Sequence, residues 1–526
     1  MHLMEVPLSP LDFMRRTRKL YANREGVAEG PNRWTYGDFF DRCDRWSAAL
    51  QRLGVRPGDR VAYIAPNTHA QLESFYAVPQ LGAVLVPINF RLVADDFRYL
   101  IQHSGAKVVC VSSDYLGAVD GIRKDLPGVE NFVALDSSRE NWLNYEELVA
   151  ASSSDFTRPA IGERDLLTIN YTSGTTSRPK GVMITHRNAW VNTVGMLAHW
   201  PMTPADTYLW TLPMFHANGW TFTWTVTAAG ARHICLPKFD GPAVFRIAAD
   251  ERVTRMCAAP TVLIMLASAP AETKALAPKG VGVMTAGAPP AAVTIQRIEG
   301  ELGWNVIQIY GLTETSPAIS ICEPQPAHAE MSQDDRARLK ARQGVELITS
   351  GELRVVDDKG RDVPADGTSA GEIVARGNVV MAGYYDDPEA TERCMGDGWF
   401  HTGDAAVVHP DGYVQITDRL KDVIISGGEN ISSVEVEAML LRHDAIQEVA
   451  VVGLPHEKWG EAPHAFVVFK NGQSASGDVL RDFCRANMAH FKVPHGFTPV
   501  TELPKTATGK IQKFVLRQGR PNMAAQ

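Results

Sequence analysis

Helix-like and strand-like stretches alternate along most of this 526-residue chain, and that alternation restricts its fold more than any other feature. Residues 36–53 carry Phe39, Phe40, Cys43, Trp46, Leu50 and Leu53 at helical spacing. Gly58 and Asp59 follow, then a strand-like run at 60–64. Residues 70–81 are amphipathic, 83–87 are apolar, and 108–112 form another short apolar run. The block from 165 to about 319 repeats the style, with candidate strands at 166–170, 208–212, 233–236, 255–258, 282–285 and 306–309. Strands separated by helices need crossover connections, so the pattern predicts parallel sheets covered by helices.

The character changes after Pro324. Residues 325–342 are polar and predict a helical excursion. Short strand-like runs at 353–356, 371–375, 405–408 and 413–417, with Gly and Pro between them, predict a small antiparallel or barrel-like subdomain. From Arg419 a third composition begins: a helix at 432–441, strands at 449–452 and 465–469, and a helix at 477–488. A chain this long exceeds what one core usually serves. The expected class is therefore α/β. A large N-terminal domain, residues 1–418, holds two helix-covered, mostly parallel sheets plus a small β-barrel-like subdomain. A small α+β C-terminal domain spans 419–526.

Composition bounds the function class. Hydrophobic residues make up 45% and charged residues 21%, the balance of an ordinary soluble globular chain. The net charge of -8 argues against a nucleic-acid-binding surface. Seven cysteines lie scattered with no CxxC, which predicts reduced thiols, a reducing compartment and no zinc site. The first 26 residues lack an apolar stretch long enough for a signal peptide and predict a surface helix. No run approaches the roughly 20 apolar residues of a membrane span. The C-terminus carries no peroxisomal tripeptide. The expected location is the cytoplasm.

Within this frame one loop stands out. YTSGTTSRPKG, residues 171–181, holds five small hydroxyl residues, two glycines and Lys180, between a strand-like run and a helix starting at His186. Such a loop after a strand exposes backbone N–H groups and hydroxyls, the donors that polyphosphate oxygens require. Lys180 adds a point charge. The order differs from a Walker A loop, in which the lysine follows the second glycine.

With the strings that follow it in fixed order, the loop resembles the adenylate-forming superfamily of acyl-CoA synthetases, firefly luciferase and peptide-synthetase adenylation domains. Those strings are PMFHANGW (213–220), TAGAPP (285–290), YGLTET (310–315), GWFHTGD (398–404), DRLKDVIISGGENISSVEVE (418–437) and PKTATGKIQK (504–513). The resemblance covers nearly the whole chain, and its flavour is nearest the medium- and long-chain fatty acyl-CoA synthetases and methylmercaptopropionate-CoA ligases.

The resemblance implies ATP, CoA and Mg²⁺ as co-substrates and cofactor, and a role for each matching position. Thr172, Ser173, Gly174, Thr175, Thr176 and Lys180 would hold the β- and γ-phosphates. Glu314, with Thr172, would bind Mg²⁺, a metal suited to carboxylate and phosphate oxygens. Tyr310 would stack on adenine, with Gly287, Ala288 and Pro289 as the opposite wall and Gly311 and Thr313 beside it. Asp404 and Arg419 would take the ribose hydroxyls. Lys510 would bridge the substrate carboxylate and the α-phosphate as charge shifts onto pyrophosphate. His216 would gate the carboxylate, and Trp220 with Gly311 would bound the acyl pocket. The C-terminal domain would be mobile, rotating about Lys421 to swing Lys510 out and bring Ser426, Gly427 and Gly428 toward the pantetheine arm, with Trp459 along the CoA tunnel.

No Asp, Lys or Arg lies among the likely wall residues, which argues against an amino-acid substrate and for a fatty, arylalkanoic or methylthioalkanoic acid. The loop departs from many relatives at Ser177, where they carry Gly. The expected activity is ATP-dependent acid–thiol ligation through an acyl-adenylate, by a chain able to form a homodimer. Two alternatives remain open: a ligase that loads a carrier protein or an oxidative luciferase-like use, and a non-catalytic acyl- or nucleotide-binding protein.

Overall fold

Period-two burial in the strands sorts side chains into three layers. In β3 below, Val61 and Tyr63 enter a large central core, while Ala62 and Ile64 enter a second core on the opposite face. The computed structural model describes residues 4–172, 178–426, 429–506 and 510–519.

The first part of the chain supplies β1 (Glu25–Glu29), β2 (Asn32–Thr35), β3 (Arg60–Ile64), β4 (Val84–Ile88), β5 (Ala106–Val111), β6 (Asn131–Ala134), β7 (Leu143–Asn144), β8 (Leu166–Thr172) and β9 (Lys180–Thr185). The next supplies β10 (Thr207–Leu209), β11 (Arg232–Cys235), β12 (Arg255–Cys257), β13 (Gly282–Thr285), β14 (Asn305–Gly311), β15 (Ala318–Ile321) and β16 (Val345–Glu346). One sheet runs β7-β6-β5-β3-β4-β8-β9, parallel except for the β8–β9 hairpin. The other runs β16-β15-β14-β13-β12-β10-β11-β1-β2, parallel from β14 to β1 and antiparallel at both edges.

Two helix-covered, mostly parallel sheets are thus present, but their membership differs from the sequence reading. The run at 166–170, grouped there with the second block, is β8, and it pairs with β4 of the first sheet through Leu85 and Thr168. The chain also begins in the second sheet, because β1 pairs in parallel with β11. Helices Tyr36–Arg52, His69–Ala77, His186–His199 and Phe222–Ala229 fill the layer between the sheets. Two of them start from capping boxes, Thr35 with Asp38 and Thr185 with Asn188, which satisfy otherwise orphaned backbone N–H groups.

The third region, β17 (Glu352–Val356), β18 (Ala370–Arg376), β19 (Phe400–Val408) and β20 (Val414–Arg419), is a four-stranded antiparallel sheet in sequence order. Its first and last strands do not pair among the described residues, so the barrel-like alternative gives way to an open sheet. The last region holds β21 (Ile424–Ser426), β22 (Glu429–Ile431), β23 (Ile446–His456), β24 (Gly460–Phe469) and β25 (Gly496–Pro499), packed with helices Ser433–Leu440, Gly477–Asn487 and Lys513–Arg517 around its own apolar clusters. That is the small α+β unit expected. Among the described residues no helix is long and apolar enough to cross a membrane.

Candidate functional site

Parallel sheets present ligands at the carboxyl ends of their strands, and the predicted residues gather at the ends of β13 and β14. Tyr310 is the penultimate residue of β14, buried, with its hydroxyl donating to Asp404 Oδ2 at 2.7 Å. Burial and the Asp404 charge raise the Tyr310 phenol well above its usual range, so it stays a donor. Asp404 on β19 faces Arg419 on β20 in direct register. Arg419 Nε stands 3.1 Å from Asp404 Oδ1. The Asp404 charge raises the Arg419 guanidinium. Each Asp404 oxygen has two acceptor positions, so a carboxylate with these two partners keeps capacity for a pair of hydroxyls.

Lys510 reaches the same place from the C-terminal region. Its loop is closed by a bridge between Lys505 and Ile511, by Thr506 N donating to Lys510 O at 2.7 Å, and by Lys510 N donating to Thr506 Oγ1 at 3.1 Å. The Lys510 Cε lies 3.8 Å from where a Cβ on Gly287 would stand, an ordinary contact distance, while the Gly287 φ of +92 is what suits glycine there. Burial first, then the Arg419 guanidinium, push the Lys510 ammonium down to about 8, while Asp404 and Glu314 pull the other way. His216 sits close enough to feel that ammonium: burial, then the Lys510 charge, push the imidazole down to about 3. His216 is therefore a neutral imidazole at ordinary pH, with one ring nitrogen a donor and the other an acceptor. Lys421 lies on the turn after β20, exposed, and burial of its ammonium and the Arg419 charge lower it.

A third group stands beside these. The β8–β9 hairpin sets Thr172 directly across from Lys180. Lys180 Nζ lies 4.8 Å from the centre of the Tyr384 ring, and the Tyr384 hydroxyl donates to Glu314 Oε1 at 2.8 Å. Among the described residues no cluster of three or more His, Cys, Asp or Glu could cage a metal. The single carboxylate of Glu314 and the Thr172 hydroxyl are hard oxygen donors, and Mg²⁺ is commonly held by one or two carboxylates with the rest of its shell from phosphate and water. The residues fit that ion.

The turn that carries His216 has an unusual backbone. Ala217, Asn218, Gly219, Trp220 and Thr221 all have positive φ, from 35 to 68. A run of left-handed residues is disfavoured by about 1–2 kcal/mol each outside glycine. The Asn218 side chain holds it, accepting from Asn170 Nδ2 at 3.1 Å and donating to Thr168 Oγ1 at 2.9 Å. Beneath the turn, a Cβ on Gly219 would stand 2.5 Å from Trp210. Trp220 is buried beside it.

The remaining predictions scatter. Gly311 is fixed by packing: a Cβ there would meet Pro317 O at 1.8 Å. Thr313 lies in the short turn after β14, with Ala288 and Pro289 in the loop after β13. Ser426 pairs with Gly460, next to the exposed Trp459, so these two CoA candidates are neighbours in the C-terminal sheet. No hydrogen bond or ring contact among the described residues joins them to the Lys510 cluster. Ser173, Gly174, Thr175, Thr176, Gly427 and Gly428 lie outside the described residues. Sequence reasoning missed Tyr384. The only signal was the pair Tyr384-Tyr385 after Gly383 and before a helix, and two adjacent tyrosines read equally well as strand residues.

Comparison with known proteins adds a separate line. Residues 14–385 match the AMP-binding enzyme family, and residues 435–510 match the AMP-binding enzyme C-terminal domain. The chain is 42% identical over 521 residues to 4-hydroxybutyrate–CoA ligase 2 of Metallosphaera sedula, covering 97% of this chain and 94% of that protein. It is 39% identical over 541 residues to the peroxisomal trans-cinnamate:CoA ligase of Petunia hybrida, covering 98% and 94%. The crystal structure of the anthranilate CoA ligase AuaEII in complex with anthranoyl-AMP is similar with a TM-score of 0.88 at 26% identity, over 98% of each chain.

Proposed function

The chain belongs to the AMP-binding enzyme family as an AMP-forming acid–CoA ligase, and from that premise we propose how its residues divide the reaction. ATP lies across the carboxyl ends of β13 and β14, its adenine between Tyr310 and the 287–289 loop and its ribose hydroxyls on Asp404 beside Arg419. Thr172, the loop after it, and Lys180 take the β- and γ-phosphates. Mg²⁺, held by Glu314 and Thr172, would supply positive charge to the departing pyrophosphate. Lys510 lies between the acid's carboxylate and the α-phosphate and offsets the negative charge of both as the acyl-adenylate forms. The 419–526 domain then turns about Lys421, removing Lys510 and bringing the loop at 426–429 and Trp459 toward the thiol of CoA. The observation that carries this reading is the convergence of Lys510 on Gly287, with the Asp404–Arg419 pair behind it.

We infer a compact apolar acid as substrate. The segment around His216, residues 213–224, carries no Asp or Glu to receive a substrate ammonium. Trp210 packs directly against Gly219 of the 217–221 turn, and with the short-chain and aryl acids named for the relatives this supports a short-chain or aryl acid over the medium or long chain expected from sequence flavour. The relatives above are named for acids of both compact kinds.

A pyrophosphate-release screen over acids from short to long and aliphatic to aryl, with and without CoA, tests this. The expected result is acid-dependent pyrophosphate release, AMP release that rises with CoA and needs no protein partner, and the highest kcat/KM on a compact acid. Turnover only with a carrier protein would select the carrier-loading alternative, ATP binding without turnover the sensor alternative, and the highest kcat/KM on a long-chain acid would overturn the inference of a compact acid.

A further inference from the structure

Tyr384 is a residue that none of the motif reasoning used, yet it touches two groups of the site at once. Its hydroxyl donates to Glu314 Oε1 at 2.8 Å, and its ring lies under the ammonium of Lys180, 4.8 Å from the ring centre. Its backbone is fixed to the strand that carries Lys180. Ala382 N donates to Met183 O at 2.9 Å, Met183 N to Gly383 O at 3.0 Å, and Tyr385 N to Gly181 O at 2.7 Å. Tyr384 itself is bridged to Val182. Its N–H donates to Thr391 Oγ1 at 2.9 Å, at the start of helix Pro388–Met395. The segment is tied to Glu314 as well, since Met381 N donates to Glu314 O at 2.8 Å. Residues 381–385 thus form a strap between the phosphate-loop strand and the turn after β14.

Resting on the reading of Glu314 as metal carboxylate and Lys180 as phosphate ligand, we propose that Tyr384 is a positioning residue that sets both: its hydroxyl holds one Glu314 oxygen so that the other faces the metal, and its ring holds the Lys180 ammonium toward the phosphates. The two functions are separable by chemistry. A hydrogen bond that orients a metal carboxylate changes metal affinity. A ring face under an ammonium restricts where the charge sits and is sequence-neutral toward any aromatic.

The test uses full-length protein carrying Tyr384→Phe, Tyr384→Leu or Glu314→Gln, with calorimetric binding of ATP in the presence and absence of Mg²⁺ beside acid-dependent pyrophosphate–ATP exchange as a function of Mg²⁺. Tyr384→Phe keeps the ring and should leave metal-free ATP binding unchanged while raising the Mg²⁺ needed for half-maximal MgATP binding and exchange by about 10-fold. Tyr384→Leu should add a loss of metal-free ATP affinity of roughly threefold or more. Tyr384→Phe with wild-type Mg²⁺ dependence, or Tyr384→Leu with wild-type metal-free ATP affinity, would overturn the proposal. Failure of the underlying reading looks different: Glu314→Gln would then keep wild-type Mg²⁺ dependence, or the unsubstituted protein would show no acid-dependent exchange.

Discussion

At the scale of single residues, the proposed adenylation chemistry rests on Lys510. Its side chain comes up against Gly287, and burial and the Arg419 charge push its ammonium down to about 8. Lys510→Ala should lower acid-dependent pyrophosphate release by a factor of about 100 or more, the scale of losing one oriented charge donor, while thioester formation from supplied acyl-AMP stays near wild type. Normal pyrophosphate release would remove Lys510 from its role. Its titration gives a second expectation. The charged form is the active one, it is present below about 8, and it is lost as pH rises through that value. The kcat/KM for adenylation, which reports the free enzyme, should therefore fall above about pH 8. Bound ATP brings anionic phosphates that favour the ammonium, so the corresponding fall in kcat should lie at higher pH. A kcat/KM profile flat to pH 10 would count against Lys510 as the titrating group. That Asp404, Arg419, Glu314 and Lys510 come together was legible because each is a charged residue within a distinct string. Tyr384 was not, because what it does depends on the β9–strap pairing, a contact between residues about 200 apart.

At the scale of elements, the left-handed turn at 217–221, which follows His216 in the proposed acid site, is bonded to the β8 strand. Asn218 suits it twice, since Asn tolerates positive φ and its amide bonds both Asn170 and Thr168. Asn218→Ala keeps the backbone demand and loses both bonds, a loss of about 2–3 kcal/mol. Asn218→Gly loses the bonds but relieves the backbone, and should be the more stable of the two. Thermal unfolding should rank wild type above Asn218→Gly above Asn218→Ala. The KM for the acid should rise in both with ATP affinity unchanged, and equal stability of the two variants would show that the backbone is not under strain. None of this was legible in the string PMFHANGW, which gives no sign of five successive positive φ values. Element positions read well where apolar runs were bounded by Gly or polar residues, as in β3 and β13, which match the expected 60–64 and 282–285. Sheet membership read poorly. β8 and β1 are local in sequence to one block and pair with the other, because pairing is decided by which faces must be buried across the central helix layer.

At the scale of the molecule, one carboxylate links the two proposed domains at their junction. Asp418 is buried at the end of β20, and its Oδ2 accepts from Ser433 N at 2.7 Å and Ser433 Oγ at 2.6 Å, at the start of helix Ser433–Leu440. Ser432 Oγ donates to Thr417 O, and Lys513 Nζ donates to Ser433 Oγ while pairing with Glu437 at 2.8 Å. If the chain divides at 418/419 and turns about Lys421, Asp418 stays behind while Ser433 and Lys513 leave, so this network belongs to the arrangement that delivers Lys510. A carboxylate at a helix start that accepts two hydrogen bonds contributes about 1–2 kcal/mol. Asp418→Ala would withdraw that from the Lys510-in arrangement alone. The expected outcome is a roughly five- to thirtyfold loss in acid- and ATP-dependent pyrophosphate release, the factor that 1–2 kcal/mol represents, with thioester formation from supplied acyl-AMP and CoA unchanged or faster. Equal losses in both half-reactions would mean that Asp418 supports the fold rather than one of two arrangements, and the proposed boundary would then have to move.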